Sequence, residues 1–229
     1  MDFELSADQE ALRDAAADLL SSRSSSEIVR KAVDAGGRPD EALWSAMVDQ
    51  GWCGIAVSED AGGIGLGWVE AAVLLEQVGA AVAPAPILGQ LVALDVLAGT
   101  EWGQGLVDGS RVAAVADGLD RVIPFAPVAD VVVVCEDDRV RAVDLTGHRP
   151  AAEPAMDVTR TIGWLRTDAL AGAPSTDLGG ALEAERVRDV AAVAYSAECW
   201  ASRSGCSTCP SSTPRTGCSS AGRSAASRR

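Results

Sequence analysis

The stretch that decides the fold is residues 43–88, LWSAMVDQGWCGIAVSEDAGGIGLGWVEAAVLLEQVGAAVAPAPIL. Asp40 lies just before it and can cap a helix that Gly51 ends. The inward side chains of that helix are predicted to be Leu43, Trp44, Met47 and Val48. A further helix is predicted over Trp68–Gly79, and Pro84 and Pro86 separate it from the next one. Two helices joined by a glycine-rich loop are therefore expected here.

The same helical pattern extends on both sides of this stretch. Ser6 and Gln9 form a capping-box pattern at the start of the first helix. Its apolar stripe consists of Leu12, Ala15, Ala16, Leu19 and Leu20. The serine-rich residues 21–26 interrupt that pattern, and another helix is expected over Ile87–Ala98. We therefore predict an all-α domain at residues 1–108.

The spacing of apolar residues changes from a helical to a strand-like pattern after residue 109. Strands are predicted at residues 112–116, 128–134 and 140–145, with a hairpin turn at residues 136–138. Such short strands suggest a small barrel or sandwich at residues 109–175. Residues 171–179 resemble a linker. A helix then resumes, and residues 176–198 are expected to begin a C-terminal helical domain, with Leu182, Val187, Val190, Ala191 and Ala194 facing inward. The order of helices, strands and helix predicts an α+β fold.

Charge and apolar content exclude several classes of protein. Residues 1–198 contain all 33 acidic residues against 14 basic ones, a net charge of −19 that argues against nucleic-acid binding. The chain has no uninterrupted apolar run of about 18 residues, so we expect no membrane span. Only Cys53 and Cys135 occur before residue 199, and the N-terminus does not resemble a signal peptide. We expect a cytoplasmic protein.

Residues 199–229 differ in composition from the rest of the chain. They contain nine serines, five arginines and four cysteines, and no Leu, Ile, Val, Met, Phe, Asp or Glu. Such a segment cannot bury enough apolar surface to offset the entropy of ordering, so we expect a disordered tail. An alternative is a zinc site formed by Cys199, Cys206, Cys209 and Cys218. Their spacing contains one C-x2-C pair where structural zinc sites use two, so we assign no metal ligands.

Candidate site residues within the body have ordinary structural explanations. The glycines between Gly62 and Gly67 do not fit G-x-G-x-x-G, and we expect a tight interhelical loop rather than a nucleotide site. His148 is the only histidine and is expected in a loop, which argues against Ser/His/Asp catalysis. The remaining acids of interest are Glu59, Asp60 and Glu70, expected as solvated helix-end charges, and Glu76, which the helix could bury.

Residues 1–98 closely resemble acyl-CoA dehydrogenases, and residues 109–198 do so loosely. MDFELSADQEALRDAAADLL at residues 1–20 is similar to the opening helix of that family. The stretch at residues 43–88 resembles its GW turn, PE-x-GG-x-G loop, LEE-x-G helix and P-x-P turn, although Ser58 stands where the family usually has proline. The resemblance implies an acyl-CoA thioester substrate, FAD as cofactor, an electron-transferring flavoprotein as acceptor, and a homo- or hetero-oligomer. In the family, a glutamate removes the α-proton and the β-hydrogen leaves as hydride to the flavin.

Two departures from the family limit what the resemblance implies. Residues 111–119, RVAAVADGL, lack the TEP-x-x-GSD motif whose hydroxyls contact flavin. The short middle domain looks more like subunits of actinobacterial heteromeric enzymes that degrade steroid side chains. The family's catalytic glutamate lies in the C-terminal domain, beyond residue 198, so we assign no catalytic residue and no cofactor-binding residue. An acyl-CoA dehydrogenase flavoprotein, inactive as this chain, is the leading interpretation; a non-catalytic subunit of a heteromer is the alternative.

A shifted reading frame explains the composition of residues 199–229. One shifted translation allowed by the genetic code resembles the first long C-terminal helix of the family and its R-x-QFG-x-PI-x-x-FQ signature. We therefore expect a one-base slip near residues 197–199 that truncates the C-terminal domain. Sequencing the coding DNA tests this, because codons incompatible with the shifted reading would contradict it.

Overall fold

The computed structural model describes residues 4–207, with side chains described through Ala201. Helices form the first half of the chain, two sheets follow, and one long helix comes last. The helices are α1 (Ala7–Arg23), α2 (Ser26–Asp34), α3 (Glu41–Asp49), α4 (Trp68–Ala80), α5 (Ile87–Leu97), α6 (Gly103–Val107) and α7 (Ala181–Ser207). The strands are β1 (Ala113–Asp117), β2 (Arg121–Pro124), β3 (Val131–Cys135), β4 (Arg139–Asp144), β5 (Ala152–Glu153), β6 (Ile162–Leu165) and β7 (Ser175–Gly180).

The predicted caps of the helical unit are present. Ser6 and Gln9 form the reciprocal capping box of α1, and the Asp40 carboxylate accepts from the Leu43 N–H at 2.8 Å. Gly51 ends the turn after α3 in the left-handed region, at φ 74°. The predicted helices at residues 68–79 and 87–98 correspond to α4 and α5. The sequence pattern did not reveal α2 within and after the serine-rich stretch, nor the five-residue α6.

Two sheets form the β unit. One has the order β1-β3-β4-β7, in which β1 and β3 are parallel and the other pairs antiparallel. The other sheet is antiparallel with the order β2-β6-β5. Every residue of the central strand β3 is buried, as its continuous valine run indicates. The hairpin predicted at residues 136–138 joins β3 to β4.

The four-stranded sheet lies between two apolar cores. One face of the four-stranded sheet, with Val131, Val133 and Val140, packs in the same core as the helices. The other face packs against the small sheet in a second core that includes Val132, Val143, Ile123 and Leu165. The predicted α+β fold with a small β sandwich is therefore confirmed, with three layers: helices, the larger sheet and the smaller sheet.

Several predicted boundaries need correction. The expected linker at residues 171–179 contains β7, an edge strand that its polar composition hid. The strand expected at residues 128–134 begins at Val131, because residues 126–128 form a 3-10 turn around Pro127. Leu182, expected inward, exposes 74 % of its surface, whereas Val187 and Ala194 are fully buried.

The last helix continues beyond the change in composition. The structure extends α7 to Ser207, so residues 199–207 are helical where we expected the start of a disordered tail. Residues 208–229 lie outside the described part, as do Cys209 and Cys218 of the zinc alternative. Neither the shifted reading frame nor the domain boundaries at 108, 175 and 198 are tested by the fold, and they remain predictions.

Candidate functional site

A cleft forms where the start of α5 meets β1, β2 and α7. It encloses a cavity of about 20 Å³, enough for about one water molecule. Its apolar wall includes Leu88 and Phe125, and its polar wall consists of Arg160, Tyr195 and Glu198. Residues from the helical unit, both sheets and the last helix therefore meet at one point, although the enclosed volume is far below the roughly 300–1,000 Å³ of small-molecule sites.

An ion pair fixes the polar wall of this cleft. The Arg160 Nη1 and Nη2 atoms lie 3.3 and 3.4 Å from the two Glu198 carboxylate oxygens, and Nε lies 3.2 Å from an Asp157 oxygen. Burial alone would lower the pKa of Arg160, but Glu198, followed by Asp157, raises it above its ordinary value. Glu198 is 7 % exposed. The guanidinium therefore stays charged and is engaged by two carboxylates, so it is poorly placed to bind an additional anion.

A buried glutamine holds the start of β1 against α5. The Gln90 Nε2 donates to the Leu106 carbonyl at 2.7 Å and to the Arg111 carbonyl at 2.9 Å. Its Oε1 accepts from the Ala113 N–H at 2.8 Å. All three hydrogen bonds of the side-chain amide go to backbone groups, and Gln90 is fully buried. It therefore positions the strand that forms one side of the cleft, which sequence periodicity alone did not reveal.

The carboxyl ends of β1 and β3 are occupied by ion pairs. The Arg188 Nε donates to the Asp117 carboxylate at 2.7 Å, and its Nη2 donates to the Glu136 carbonyl at 3.0 Å. The Asp117 hydrogen bond raises the pKa of Arg188. A groove of about 350 Å³ at this edge is lined by these residues together with Arg121 and Asp137. Arg188 thus connects α7 directly to the ends of the two parallel strands.

The glycine loop is a tight connection between helices, as predicted. Its backbone N–H groups donate to carbonyls of the preceding turn: Gly63 to Ser58, Ile64 to Gly54, Gly65 to Val57 and Leu66 to Ile55, at 2.8–3.0 Å. A Cβ on Gly63 would lie 2.2 Å from the Val57 carbonyl oxygen, so glycine is required there. Because these donors bond within the loop, they are not available to hold a phosphate.

The four candidate acidic residues differ in burial and in hydrogen bonding. Glu59 and Asp60 are exposed, as predicted, and Glu76 is half-buried. Glu70 is more than a solvated charge: its carboxylate accepts from the Gly67 N–H at 2.9 Å and from the Gln9 Nε2 at 2.8 Å. The Gln9 hydrogen bond, together with backbone donors, lowers the pKa of Glu70. This carboxylate caps α4 and ties it to α1.

His148 lies in a turn after β4, as predicted, with Nδ1 3.4 Å from the Ala169 carbonyl oxygen. Among the side chains that the structure describes, which end at Ala201, no cluster of three or more His, Cys, Asp or Glu could hold a metal ion. Cys199, one member of the zinc alternative, is exposed. Over the same residues, no helix has both the length and the apolar character needed to cross a membrane.

Comparison with known proteins identifies the helical unit. The family model for the acyl-CoA dehydrogenase N-terminal domain matches residues 6–102. Residues 6–102 are an acyl-CoA dehydrogenase N-terminal domain. This confirms the resemblance inferred from the capped helices and the glycine loop, and α1–α5 lie wholly within the matched residues.

Relatives extend the acyl-CoA dehydrogenase similarity into the β unit. Acyl-CoA dehydrogenase IpdE2 of Mycolicibacterium smegmatis is 30 % identical over 162 residues, which is 69 % of this chain and 51 % of the relative. The IpdE2 of Mycobacterium tuberculosis is 28 % identical over 167 residues, 70 % of this chain and 52 % of the relative. The chain thus spans about half the length of these curated relatives.

Solved structures show the same arrangement of helices and sheets. A variant of the Tcur3481–Tcur3483 steroid ACAD (acyl-CoA dehydrogenase) is 27 % identical with a TM-score of 0.71, covering 86 % of this chain and 64 % of that one. The ChsE4–ChsE5 complex from Mycobacterium tuberculosis has a TM-score of 0.74 at 20 % identity, with the same two coverages. The second likeness concerns the fold alone.

The strand end that the resemblance assigns to flavin does not fit that cofactor. Residues 111–119 contain no hydroxyl side chain, and β1 ends in Asp117, which is paired with Arg188. The adjoining groove adds the carboxylates of Glu136 and Asp137. The Glu136 carboxylate is paired with Arg139 and Arg141, and the Asp117 carboxylate with Arg188. These guanidinium groups are therefore already engaged, and the exposed Asp137 adds a negative charge that is unfavourable for the anionic diphosphate of FAD.

Proposed function

We propose that this protein is a subunit of a heteromeric acyl-CoA dehydrogenase, in which it completes the assembly while a partner subunit binds FAD. The reaction of the assembly would be α,β-dehydrogenation of an acyl-CoA thioester, with FAD supplying the hydride acceptor. The observation that carries this proposal is the carboxyl end of β1. There Asp117 is ion-paired with Arg188, which also donates to the Glu136 backbone carbonyl, and no hydroxyl donor to a flavin is present.

The relatives support the heteromeric assignment. The 27 %-identical structure is described as a Tcur3481–Tcur3483 steroid ACAD, which names two proteins, and the fold is shared with a ChsE4–ChsE5 complex. We therefore propose a steroid-derived acyl-CoA as the substrate of the assembly and an electron-transferring flavoprotein as its acceptor. We place the assembly in the cytoplasm, where the free, buried thiols of Cys53 and Cys135 would persist.

A second candidate function is that the protein itself is an FAD-dependent acyl-CoA dehydrogenase. The relatives favour it, because the 30 %-identical protein of Mycolicibacterium smegmatis is named as an acyl-CoA dehydrogenase in its own right. The two functions differ in one measurable quantity, the amount of FAD that the protein retains.

Flavin stoichiometry tests the proposal. The chain is expressed alone and together with a dehydrogenase subunit encoded by a neighbouring gene. The amount of FAD per polypeptide is measured after purification. The chain alone is expected to retain no FAD and to cause no bleaching of added flavin by acyl-CoA, whereas the complex retains FAD. Stoichiometric FAD on the chain alone would contradict the proposal and support the second candidate.

Two variants of the complex locate the flavin. Asp117→Ser replaces the strand-end carboxylate by a hydroxyl, and Glu185→Gln changes an exposed charge on α7 as a control. If the partner binds FAD, both complexes should retain the FAD content of the unmodified one. A change confined to Asp117→Ser would place flavin at β1 and overturn the assignment.

A further inference from the structure

A groove on the outside of the small sheet has the chemistry of a nucleotide site. It has a volume of about 310 Å³, at the lower end of the range for small-molecule sites. One wall is the turn after β4, with His148 and Arg149, and the other is β6 and its continuation, with Trp164 and Arg166. The groove is separate from the cleft at α5 and from the edge occupied by Arg188, since it shares no lining residue with either.

The aromatic wall faces outward because of the strand period. Residues two apart along a strand share a face, so Gly163 and Leu165 are buried while Trp164 is 38 % exposed. Arg166 lies on the same side, and its guanidinium carbon lies 5.3 Å from the centre of the Trp164 ring. This is cation–π stacking distance. A guanidinium stacked in this way keeps its in-plane N–H donors directed outward, where they can bind an anion.

The opposite wall is preorganised by backbone and side-chain bonds. The Arg149 Nε donates to the Ala129 carbonyl at 2.8 Å, and its Nη2 donates to the Asp130 carboxylate. Arg166 differs, because none of the ion pairs within 4.0 Å among residues 4–207 includes it. It lies close enough to Asp120 to lower the pKa of that carboxyl, after the larger effect of the Thr167 hydrogen bonds.

We propose that this groove binds a phosphorylated ligand with a planar base, of which a purine nucleotide is the simplest. The base would stack on the guanidinium plane of Arg166, which itself rests on Trp164, since bases stack on guanidinium planes as well as on aromatic rings. The phosphate would be held by the Arg166 fork, with His148 opposite, while Arg149 remains engaged by Ala129 and Asp130 and shapes that wall. Glu153, the only carboxylate lining the groove, can accept from a ribose hydroxyl or an exocyclic amine.

The same chemistry has two sources, a free nucleotide and the nucleotide end of coenzyme A. Isothermal titration of the full 229-residue chain with ADP, coenzyme A and inorganic phosphate separates them. Binding of ADP at least about tenfold tighter than phosphate is expected, because the base adds stacking. Coenzyme A binding about tenfold tighter than ADP would assign the groove to coenzyme A, and equal or weaker binding would assign it to a free nucleotide.

Variants at Arg166 and Trp164 test the geometry. Arg166→Gln and Trp164→Ala are each expected to weaken ADP binding at least about tenfold. Arg166→Lys should not restore it, because lysine keeps the charge and loses the stacking plane. The control Arg13→Gln removes the same charge from α1, outside the groove, and should bind ADP as the unmodified chain does.

Several results would overturn the proposal. They are unchanged ADP affinity in Arg166→Gln, full rescue by Arg166→Lys, or phosphate binding as tightly as ADP. Thermal unfolding of each variant accompanies the titrations. Because Arg166 is exposed, Arg166→Gln is expected to unfold at the temperature of the unmodified chain, and lost binding then reports the groove. This outcome is independent of FAD content, so it stands or falls separately from the proposed function.

Discussion

Gly79 of α4 lies directly against the backbone of Glu198 of α7: a Cβ on Gly79 would be 2.0 Å from the Glu198 carbonyl oxygen. The two helices can approach this closely only because Gly79 has no side chain. The contact also places the Glu198 carboxylate beside Arg160 in the cleft. A small residue on one helix therefore determines where an acidic residue on another helix meets the β unit.

Gly79→Ala should destabilise the protein by about 1–3 kcal/mol, because the added methyl group must push α7 away from α4. Urea unfolding followed by far-UV circular dichroism measures the change. Gly99→Ala, in the turn after α5, is the control for a glycine substitution without a clash, since no atom lies within 4 Å of a Cβ at that position. Equal stability of the two variants would show that α7 does not pack against Gly79 in solution.

Gln90→Ala should destabilise the protein by about 2–4 kcal/mol. The substitution leaves three backbone groups without their amide partner, two of them in buried hydrogen bonds, and each unsatisfied buried group is costly. Denaturant unfolding provides the measurement, with the half-buried Gln77→Ala on α4 as the control for loss of a helical glutamine. Similar unfolding free energies for the two variants would contradict the bridging role of Gln90.

The pKa of Glu70 is held below its ordinary value by the Gln9 amide and by backbone donors. The ionised form is therefore favoured in the folded state. Its stabilisation is present above the pKa of the unfolded carboxyl, about 4.3, and is lost as the pH falls through the lower folded value. Glu70→Gln should weaken the dependence of the unfolding free energy on pH in this acidic range.

Measuring unfolding at closely spaced pH values below about 5 tests the Glu70 prediction. Glu185→Gln, an exposed substitution on α7, is the control and should retain the full acid dependence. A pH profile of Glu70→Gln that matches the unmodified protein would indicate that the capping carboxylate is not engaged.

Burial raises the pKa of the Cys53 thiol to about 12 and that of the Cys135 thiol to about 11. At pH 8 the reactive thiolate of Cys53 is then roughly one part in ten thousand, because each unit of pKa above the pH is a tenfold loss. Iodoacetamide followed by peptide mass spectrometry should label exposed Cys199 quickly and the two buried thiols only after unfolding. Rapid labelling of Cys53 in the folded protein would contradict its burial.

The local signals in the sequence were strong enough to predict most of the helical unit. Ser6, Asp40 and Gly51 act within a few residues of their own position, so capping and termination could be recognised without tertiary information. Strand β7 could not be recognised from the sequence. Ser175–Gly180 is a polar edge strand that pairs with β4 on one side and has no alternation of apolar residues. The short β5 also carries too few residues to show a period.

Among the candidate sites, too, the local features could be predicted from the sequence and the contacts between distant residues could not. The glycine loop was predicted to be structural, and its internal hydrogen bonds confirm this. Arg160, Gln90 and Arg188 were not singled out, because their roles depend on partners far away in the chain: Glu198, Ala113 and Asp117 respectively. An isolated arginine or glutamine gives no sequence signal of such a partner.

The sequence by itself determined the family of residues 6–102, the α+β order of elements and the absence of flavin-contacting hydroxyls at residues 111–119. These depend on residue identity and short-range spacing. Only the tertiary structure decided that Asp117 is neutralised by Arg188, that Glu198 pairs with Arg160, and that Trp164 and Arg166 form one wall of an outward groove. Such contacts arise when the sheets and α7 pack together, because distances between elements are set by the shared core rather than by the spacing of residues along the chain.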